Sequence, residues 1–332
     1  MTVLDEIIAG VREDLDVRKL GIPLNEIIVQ AQSTSLAAPL DVLNHFTKGN
    51  FGVIAEVKRS SPSKGALASI DDPAELARSY QAGGACAVSV LTEQRRFKGS
   101  LDDLAVVRSA VTIPVLRKEF IVDSYQIYEA RVYGADIILL IVAALSDQEL
   151  VEFSTLTHAL GMRALIEVHD AQEIGRVIHL SQKGALAIDL LGINARNLKT
   201  LEINSEAFAL LAPLVPPSIP LIAESGISDS AEVGALSALG AAGILAVTPY
   251  YNRPSQAGIE AHMRAVCEST DLPVVLYDIP ARTGRKISTA LLLKLAREVK
   301  NVVAVKDAAG SPSESALLMS QAPAGFELYS GD

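Results

Sequence analysis

Residues 53–65, VIAEVKRSSPSKG, set a carboxylate and an ammonium, Glu56 and Lys58, two positions apart at the end of a short apolar run, before a Ser-, Pro- and Gly-rich segment. Strand residues two apart face the same side, so such a pair is delivered together at a strand's C-terminal end. Parallel α/β barrels keep their chemistry at that end. One exposed ion pair there would be weak and commonplace. Here the arrangement recurs: Lys118 closes the run in IPVLRKEF, Glu167 that in MRALIEVH, Asn194 and Arg196 follow that in LLGINARNL, and Glu224, Ser225 and Gly226 follow that in LIAESG. The cations Lys58, Lys118 and Arg196 then share a rim with the anions Glu56, Glu167 and Glu224, a mixture suited to binding an anion and moving protons. Gly226 would let backbone N–H groups approach a phosphate closely, as the last loops of such barrels often do.

The elements that must position these residues are legible as apolar runs near 52–57, 87–91, 113–117, 137–142, 163–168, 188–193, 219–223 and 243–248, separated by helix-like segments. Such alternation implies a parallel sheet. Eight near-continuous apolar runs in this length predict a closed (β/α)8 TIM barrel over residues 49–248, with 243–248 as its eighth strand. Residues 3–19 and 24–32 carry helical apolar spacing, and Asp41 is a candidate cap for a further short helix, so residues 1–48 are expected to form an N-terminal helical extension. Three more strand-like runs, at 273–277, 302–306 and 326–329, exceed one barrel. They predict extra βα units over 249–332, whose exposed sheet edges favour self-association.

Composition narrows the partners. A formal charge of −10 and a pI near 5.1 argue against a nucleic-acid surface or a polybasic membrane patch. A mean hydropathy of +0.30 comes from many short runs, none near the roughly 18 apolar residues of a membrane span. Cys86 and Cys267 are too few for a disulfide framework, and the N-terminus lacks the pattern of a signal peptide. A reducing cytoplasm is the expected compartment. His45, His158, His169, His179 and His262 show no metal-ligand spacing, so no metal is expected.

AEVKRSSPSKG, LTEQRRFKGS, VLRKEFIVDSYQI, LIEVH, GINARNLKTLEI and IAESGI, in this order and spacing, resemble indole-3-glycerol phosphate synthase, a tryptophan-biosynthesis (β/α)8 lyase, over residues 1–240. The resemblance implies decarboxylating ring closure of 1-(2-carboxyphenylamino)-1-deoxyribulose 5-phosphate, a small phosphorylated substrate, without a cofactor. It implies that Lys118 is the general acid on the ribulose carbonyl and that Lys58 pairs with the anthranilate carboxylate. Glu56 and Glu167 would handle the protons of dehydration, with acid and base not assigned between them. Asn194, Arg196 and Ser225 would hold substrate hydroxyls and carboxylate, and Ser61 and Gly226 would contribute to the phosphate site. Phe97, Phe120 and Leu198 match positions lining an aromatic pocket. Glu119 and Asn197 replace the family's usual Asp and are expected to be tolerated. In the eighth strand, GAAGILAVTPYYNRPSQ replaces a GADAVLVGEAL-like segment, which puts Val247 and Thr248 at phosphate-cradle positions.

VTPYYNRPSQAGI, VVLYDIPARTG, NVVAVKDAAG and LYSGD, over 243–332, resemble part of dihydrodipicolinate synthase, a Schiff-base (β/α)8 aldolase. That resemblance implies Lys306 as the imine-forming lysine, Tyr277 as proton-relay phenol, Tyr251 as its partner and Arg282 as carboxylate anchor. The family's N-terminal strands and their Thr-Thr-Gly-Glu loop are absent, so this slice is not expected to close a site by itself. The whole reads as a chimera whose leading activity is the synthase, with a pyruvate aldolase or a non-catalytic fused scaffold as the competing readings.

Overall fold

Polar residues at the ends of apolar runs can converge only if the runs pair in parallel and in register, and the computed structural model of the chain shows that pairing. It describes every residue except 1, 47–52, 63–64, 67–69, 83–84, 199, 205, 226–243, 248–254, 269–272, 281–284 and 331–332. Two compact units result, one built from residues 1–48 and 52–226 and the other from 49–51 and 227–332.

The first unit opens with α1 (Val3–Gly21), started by a capping box between Thr2 and Asp5, and α2 (Leu24–Ala31). The helix expected after Asp41 is only a 3-10 turn, Leu43–His45, entered through Val42; Asp41 accepts a side-chain hydrogen bond from Asn44 at 2.7 Å and no side-chain cap forms. Next come β1 (Ile54–Val57) and a small antiparallel pair, β2 (Ser60–Ser61) with β3 (Gly65–Ala66). The chain then alternates through α3 (Pro73–Ala82), β4 (Ala87–Leu91), α4 (Leu101–Ala110), β5 (Val115–Lys118), α5 (Ser124–Val132), β6 (Ile137–Ile141), α6 (Asp147–Ala159), β7 (Arg163–Val168), α7 (Ala171–Gln182), β8 (Leu190–Asn194), α8 (Ala207–Leu211) and β9 (Leu221–Glu224). Seven strands pair in parallel in the order β1-β4-β5-β6-β7-β8-β9. This is a TIM-barrel-like α/β fold.

Strand periodicity divides the core. Val88, Val90, Ile138, Leu140, Ala164, Ile166, Leu191 and Ile193 pack against helix residues such as Leu104, Val107, Leu150 and Val177. Residues of the other parity, Ala87, Leu116, Leu139, Leu165 and Leu190, pack with Leu4, Ile7 and Val11 of α1 and with Phe120. Glu56, Lys118, Glu167, Asn194 and Glu224 continue this second face at the strand ends. Ser100, Asp123, Ser146 and Asp170 cap α4 to α7 with their side chains, which fixes where each loop beyond the strands must end.

Arg117, on the helix-facing side of β5, is fully buried. Its Nη1 donates to the Gln126 carbonyl at 2.7 Å, its Nε to Thr92 Oγ1 at 3.2 Å and its Nη2 to Glu129 Oε2 at 3.2 Å. Arg18 Nε of α1 donates to Glu129 Oε1 at 2.7 Å, so one carboxylate ties the N-terminal extension to α5 and β5.

The second unit comprises β10 (Ile244–Val247), α9 (Gln256–Glu268), β11 (Val274–Asp278), α10 (Thr289–Glu298), β12 (Val302–Asp307), α11 (Pro312–Gln321) and β13 (Glu327–Ser330), with the strands parallel in chain order. Its core includes Ile259, Met263, Leu276, Leu292, Leu295, Val305, Leu318 and Phe326. The sequence expectation that 243–248 close the first barrel is corrected here. Ile244–Val247 pairs residue for residue with Val274–Tyr277 instead. Strands joined by a single helix normally lie side by side, and α9 joins these two. Among the described residues no helix is long and apolar enough to cross a membrane.

Removing the Glu129 carboxylate takes from the buried Arg117 guanidinium the nearer of its two carboxylates, leaving only Glu119 at 3.7 Å. Glu129→Ala is expected to destabilise the fold by about 3–5 kcal/mol, read by urea unfolding of the full chain; a loss below about 1 kcal/mol, the size of an exposed pair, would refute the role given to this carboxylate.

Candidate active site

Parallel register brings the strand-end side chains together: Glu56 is the ladder partner of Ser89, Leu91 of Lys118, Ile141 and Gly192 of Glu167, and Asn194 of Glu224. Glu56, Lys58, Phe97, Lys118, Phe120, Glu167, Asn194, Arg196, Leu198, Glu224 and Ser225 line one cavity of about 510 Å³. Lys118 Nζ donates to Glu224 Oε2 at 2.7 Å and lies 3.6 Å from Glu56 Oε2. Lys58 pairs with Glu56 from the other side. Behind Glu167 stands His169, its Nε2 3.2 Å from Glu167 Oε1.

These environments separate the titrations. Burial disfavours the Lys118 ammonium, but Glu224, Glu56 and Glu167 outweigh it and hold its pKa above the ordinary lysine value. Burial also opposes ionised Glu56, and Lys118 with Lys58 overcomes that, lowering its pKa. Glu167 is likewise lowered against burial, by His169 and Lys118. Glu224 goes the other way: burial pushes it up to about 7, because Lys118 only partly offsets burial and Glu167 repels a second charge. Two neighbouring carboxylates so divided favour a shared proton on Glu224 over Glu167, which is how a site can hold an acid and a base at one pH.

Three backbone features make the arrangement possible. A Cβ at Gly192 would lie 2.1 Å from Glu224 Oε1, so any side chain there would push that carboxylate from its present position. Ser225 adopts φ 61°, a left-handed conformation uncommon for serine, immediately after Glu224. Asn194 Oδ1 accepts the Arg196 backbone N–H at 2.9 Å, which turns the chain over the cavity. Sequence reasoning missed Gly192; a lone glycine inside an apolar strand is a signal for close approach and could have marked it. It also missed the pairing of His169 with Glu167.

Phe97 and Phe120 are the aromatic residues lining the cavity, with ring centroids 6.2 Å apart and planes tilted by 41°. Glu93 Oε2 accepts the backbone N–H groups of Arg96 at 2.7 Å and Phe97 at 2.8 Å, which shapes that loop. Glu119 accepts from Thr92 Oγ1 at 2.7 Å and from the Phe120 N–H at 2.9 Å, so its carboxylate is fully engaged. Asn197 Oδ1 accepts the Thr200 N–H at 3.2 Å.

Of the other expected residues, Ser61 lies in β2 with its side chain outside the described part, and Val247 is described only as strand backbone. Gly226, Thr248, Tyr251 and Arg282 lie outside the described residues. Lys306 and Tyr277 are ladder partners in the second unit, with Lys306 Nζ 4.8 Å from the Tyr277 ring centroid.

A family model described as indole-3-glycerol phosphate synthase matches residues 4–254. Indole-3-glycerol phosphate synthases of Mycolicibacterium gilvum and Mycolicibacterium vanbaalenii are 54% and 52% identical over 244 residues, 74% of this chain and 87% of theirs. That of Kineococcus radiotolerans is 51% identical over 252 residues. The chain belongs to the indole-3-glycerol phosphate synthase family. A second model, the dihydrodipicolinate synthetase family, matches residues 201–332 and overlaps the first, so the chain is a chimera of a synthase with a dihydrodipicolinate-synthase-like C-terminal part. A solved dihydrodipicolinate synthase from Cyanidioschyzon merolae is similar at 20% identity and a TM-score of 0.31, over 87% of this chain and 64% of that one. The synthase-family cavity described above is lined wholly by residues of the first unit.

Infrared titration of the full chain is expected to show a buried carboxylic acid that loses its proton near pH 7 and is absent in Glu224→Gln. In Lys118→Met the midpoint should rise, since the opposing cation is gone; a midpoint that stays put or falls would contradict the division of charge.

Proposed function

We propose that the first unit converts 1-(2-carboxyphenylamino)-1-deoxyribulose 5-phosphate to indole-3-glycerol phosphate, with loss of carbon dioxide and water and without a cofactor. The observation that carries this reading is the Lys118 ammonium, held among Glu56, Glu167 and Glu224 in a cavity that the Phe97 and Phe120 rings also line. An aromatic lining suits the anthranilate ring, and the charged cluster suits a carbonyl that must become a hydroxyl.

In this reading Lys118 delivers a proton to the ribulose carbonyl oxygen as the ring carbon bonds to the carbonyl carbon. Lys58 meets the anthranilate carboxylate. Ring closure places that carboxylate on a tetrahedral carbon beside an iminium, so carbon dioxide leaves and its electron pair restores the enamine. The new hydroxyl then departs as water, one group protonating it while another removes a proton from the ring. Glu56 and Glu167 serve this dehydration, with Glu224 holding the proton that Glu167 lacks. Asn194, Arg196 and Ser225 orient hydroxyls and carboxylate, and Ser61 and Gly226 contribute to phosphate binding. The pyruvate-aldolase reading is not favoured, because the relatives that span most of the chain are synthases. The proposal also places the enzyme in the cytoplasm without a nucleic-acid partner, and has the terminal strands of the four-stranded sheet, β10 and β13, mediate self-association.

The chain contains no tryptophan, so indole fluorescence of the product can be followed without an indole background from the protein. Purified parent chain is expected to turn over, with Lys118→Ala slower by about 10²–10⁴-fold, the usual worth of a positioned proton donor. A folded parent that forms no product would overturn the assignment. Gly192→Ala should lower kcat by about 10²-fold through displacement of Glu224 while leaving the circular-dichroism melt close to that of the parent; parent-like kcat would show that Glu224 need not sit where it does.

A further inference from the structure

Glu173, His169 and Glu167 form a line of titratable groups that reaches from the first turn of α7 into the cavity. His169 Nδ1 lies 3.2 Å from Glu173 Oε2 and Nε2 lies 3.2 Å from Glu167 Oε1. The same Glu173 oxygen accepts the His169 backbone N–H at 2.8 Å, so one carboxylate grips both the ring and the chain that carries it. Glu173 is itself anchored, because its backbone N–H donates to Asp170 Oδ1 at 2.8 Å, the cap of α7. The imidazole is about nine-tenths buried, with 11% of its side chain exposed.

A neutral imidazole has one N–H and one acceptor nitrogen, whereas here both ring nitrogens face carboxylates. Only the doubly protonated ring can offer an N–H toward each; Nδ1 is hydrogen-bonded to Glu173, while Nε2 stands at ion-pair distance from Glu167 without hydrogen-bond geometry. The charged groups facing His169 are Glu167 on β7 and Glu173 on α7; those facing Glu167 are His169, Lys118 from β5 and Glu224 from β9. Lys118 is shared with Glu56 and Glu224, so His169 is the cation within this cluster whose facing carboxylates are Glu167 and Glu173 alone.

We propose that His169, held as an imidazolium by Glu173, is a positioning residue that keeps Glu167 ionised and aimed into the cavity, which leaves Glu224 as the carboxyl that carries the proton. The activity readout rests on the synthase reading above; the ring titration does not.

The test uses the full chain as parent, His169→Gln, His169→Asn and Glu173→Gln. Nitrogen-15 NMR of labelled histidine, with the His169 signal identified by its loss in His169→Gln, is expected to show an imidazolium through neutral pH that titrates near pH 10 in the parent. In Glu173→Gln that midpoint should fall by about one pH unit or more, as expected on removing an adjacent opposite charge. In the pH profile of turnover, the acidic limb should move up by about one unit in His169→Gln, since Glu167 loses its cation, and in the same direction by less in Glu173→Gln. A merely structural histidine would change the folded fraction and leave the limb in place. A parent His169 that titrates near 6.5, or an unmoved acidic limb in a folded His169→Gln or His169→Asn, overturns the proposal. If the parent shows no turnover, the synthase reading fails, and the ring titration still decides whether Glu173 holds His169 charged.

Discussion

The first unit depends on one electrostatic arrangement, a buried ammonium that stays charged because carboxylates surround it. Desolvation of an isolated ion costs several kcal/mol even after relaxation, so a lone lysine at the end of β5 would give up its proton or turn away. Lys118 does neither, since Glu224 accepts from it at 2.7 Å and Glu56 lies 3.6 Å away. The carboxylates are equally dependent on the lysine. Each member of the cluster comes from a different strand, so pairing the strands and assembling the charges are one event.

Much of the surrounding backbone is explained by that requirement. Gly192 leaves space on β8 for a Glu224 oxygen from β9, and Ser225 accepts a left-handed conformation where the chain leaves that carboxylate. On the helix-facing side of β5, Arg117 and Glu129 tie the strand that carries Lys118 to α5 and, through Arg18, to the N-terminal helix. Alternate residues of this short strand thus serve opposite faces, Arg117 packed toward the helices and Lys118 facing the cavity.

The second unit obeys the same local rules to a different end. Its apolar runs are strands, α10 buries its four leucines, and β10 to β13 pair in chain order. Two family likenesses overlap across residues 201–254 because both families use the same βα grammar, so each continues into the join without breaking the period of its elements. Local compatibility allows the chain to be continuous; it does not decide which sheet a strand enters.

What the sequence determined by itself is the period and the punctuation. Apolar alternation located each strand of the two parallel sheets to within a few residues but not the short β2–β3 pair, and the charged residues that end the runs marked Glu56, Lys118, Glu167 and Glu224 as neighbours, because parallel strands deliver their ends to one rim. Tertiary structure decided three further matters. It assigned Ile244–Val247 to β11, a choice among chemically equivalent apolar strands that depends on which pairing the connecting helix allows. It gave Gly192 its meaning, since a missing side chain matters only once the Glu224 carboxylate is found in its place. It also set Glu167 apart from Glu224, two glutamates identical in sequence whose affinities for a proton diverge because His169 lies beside one and burial governs the other.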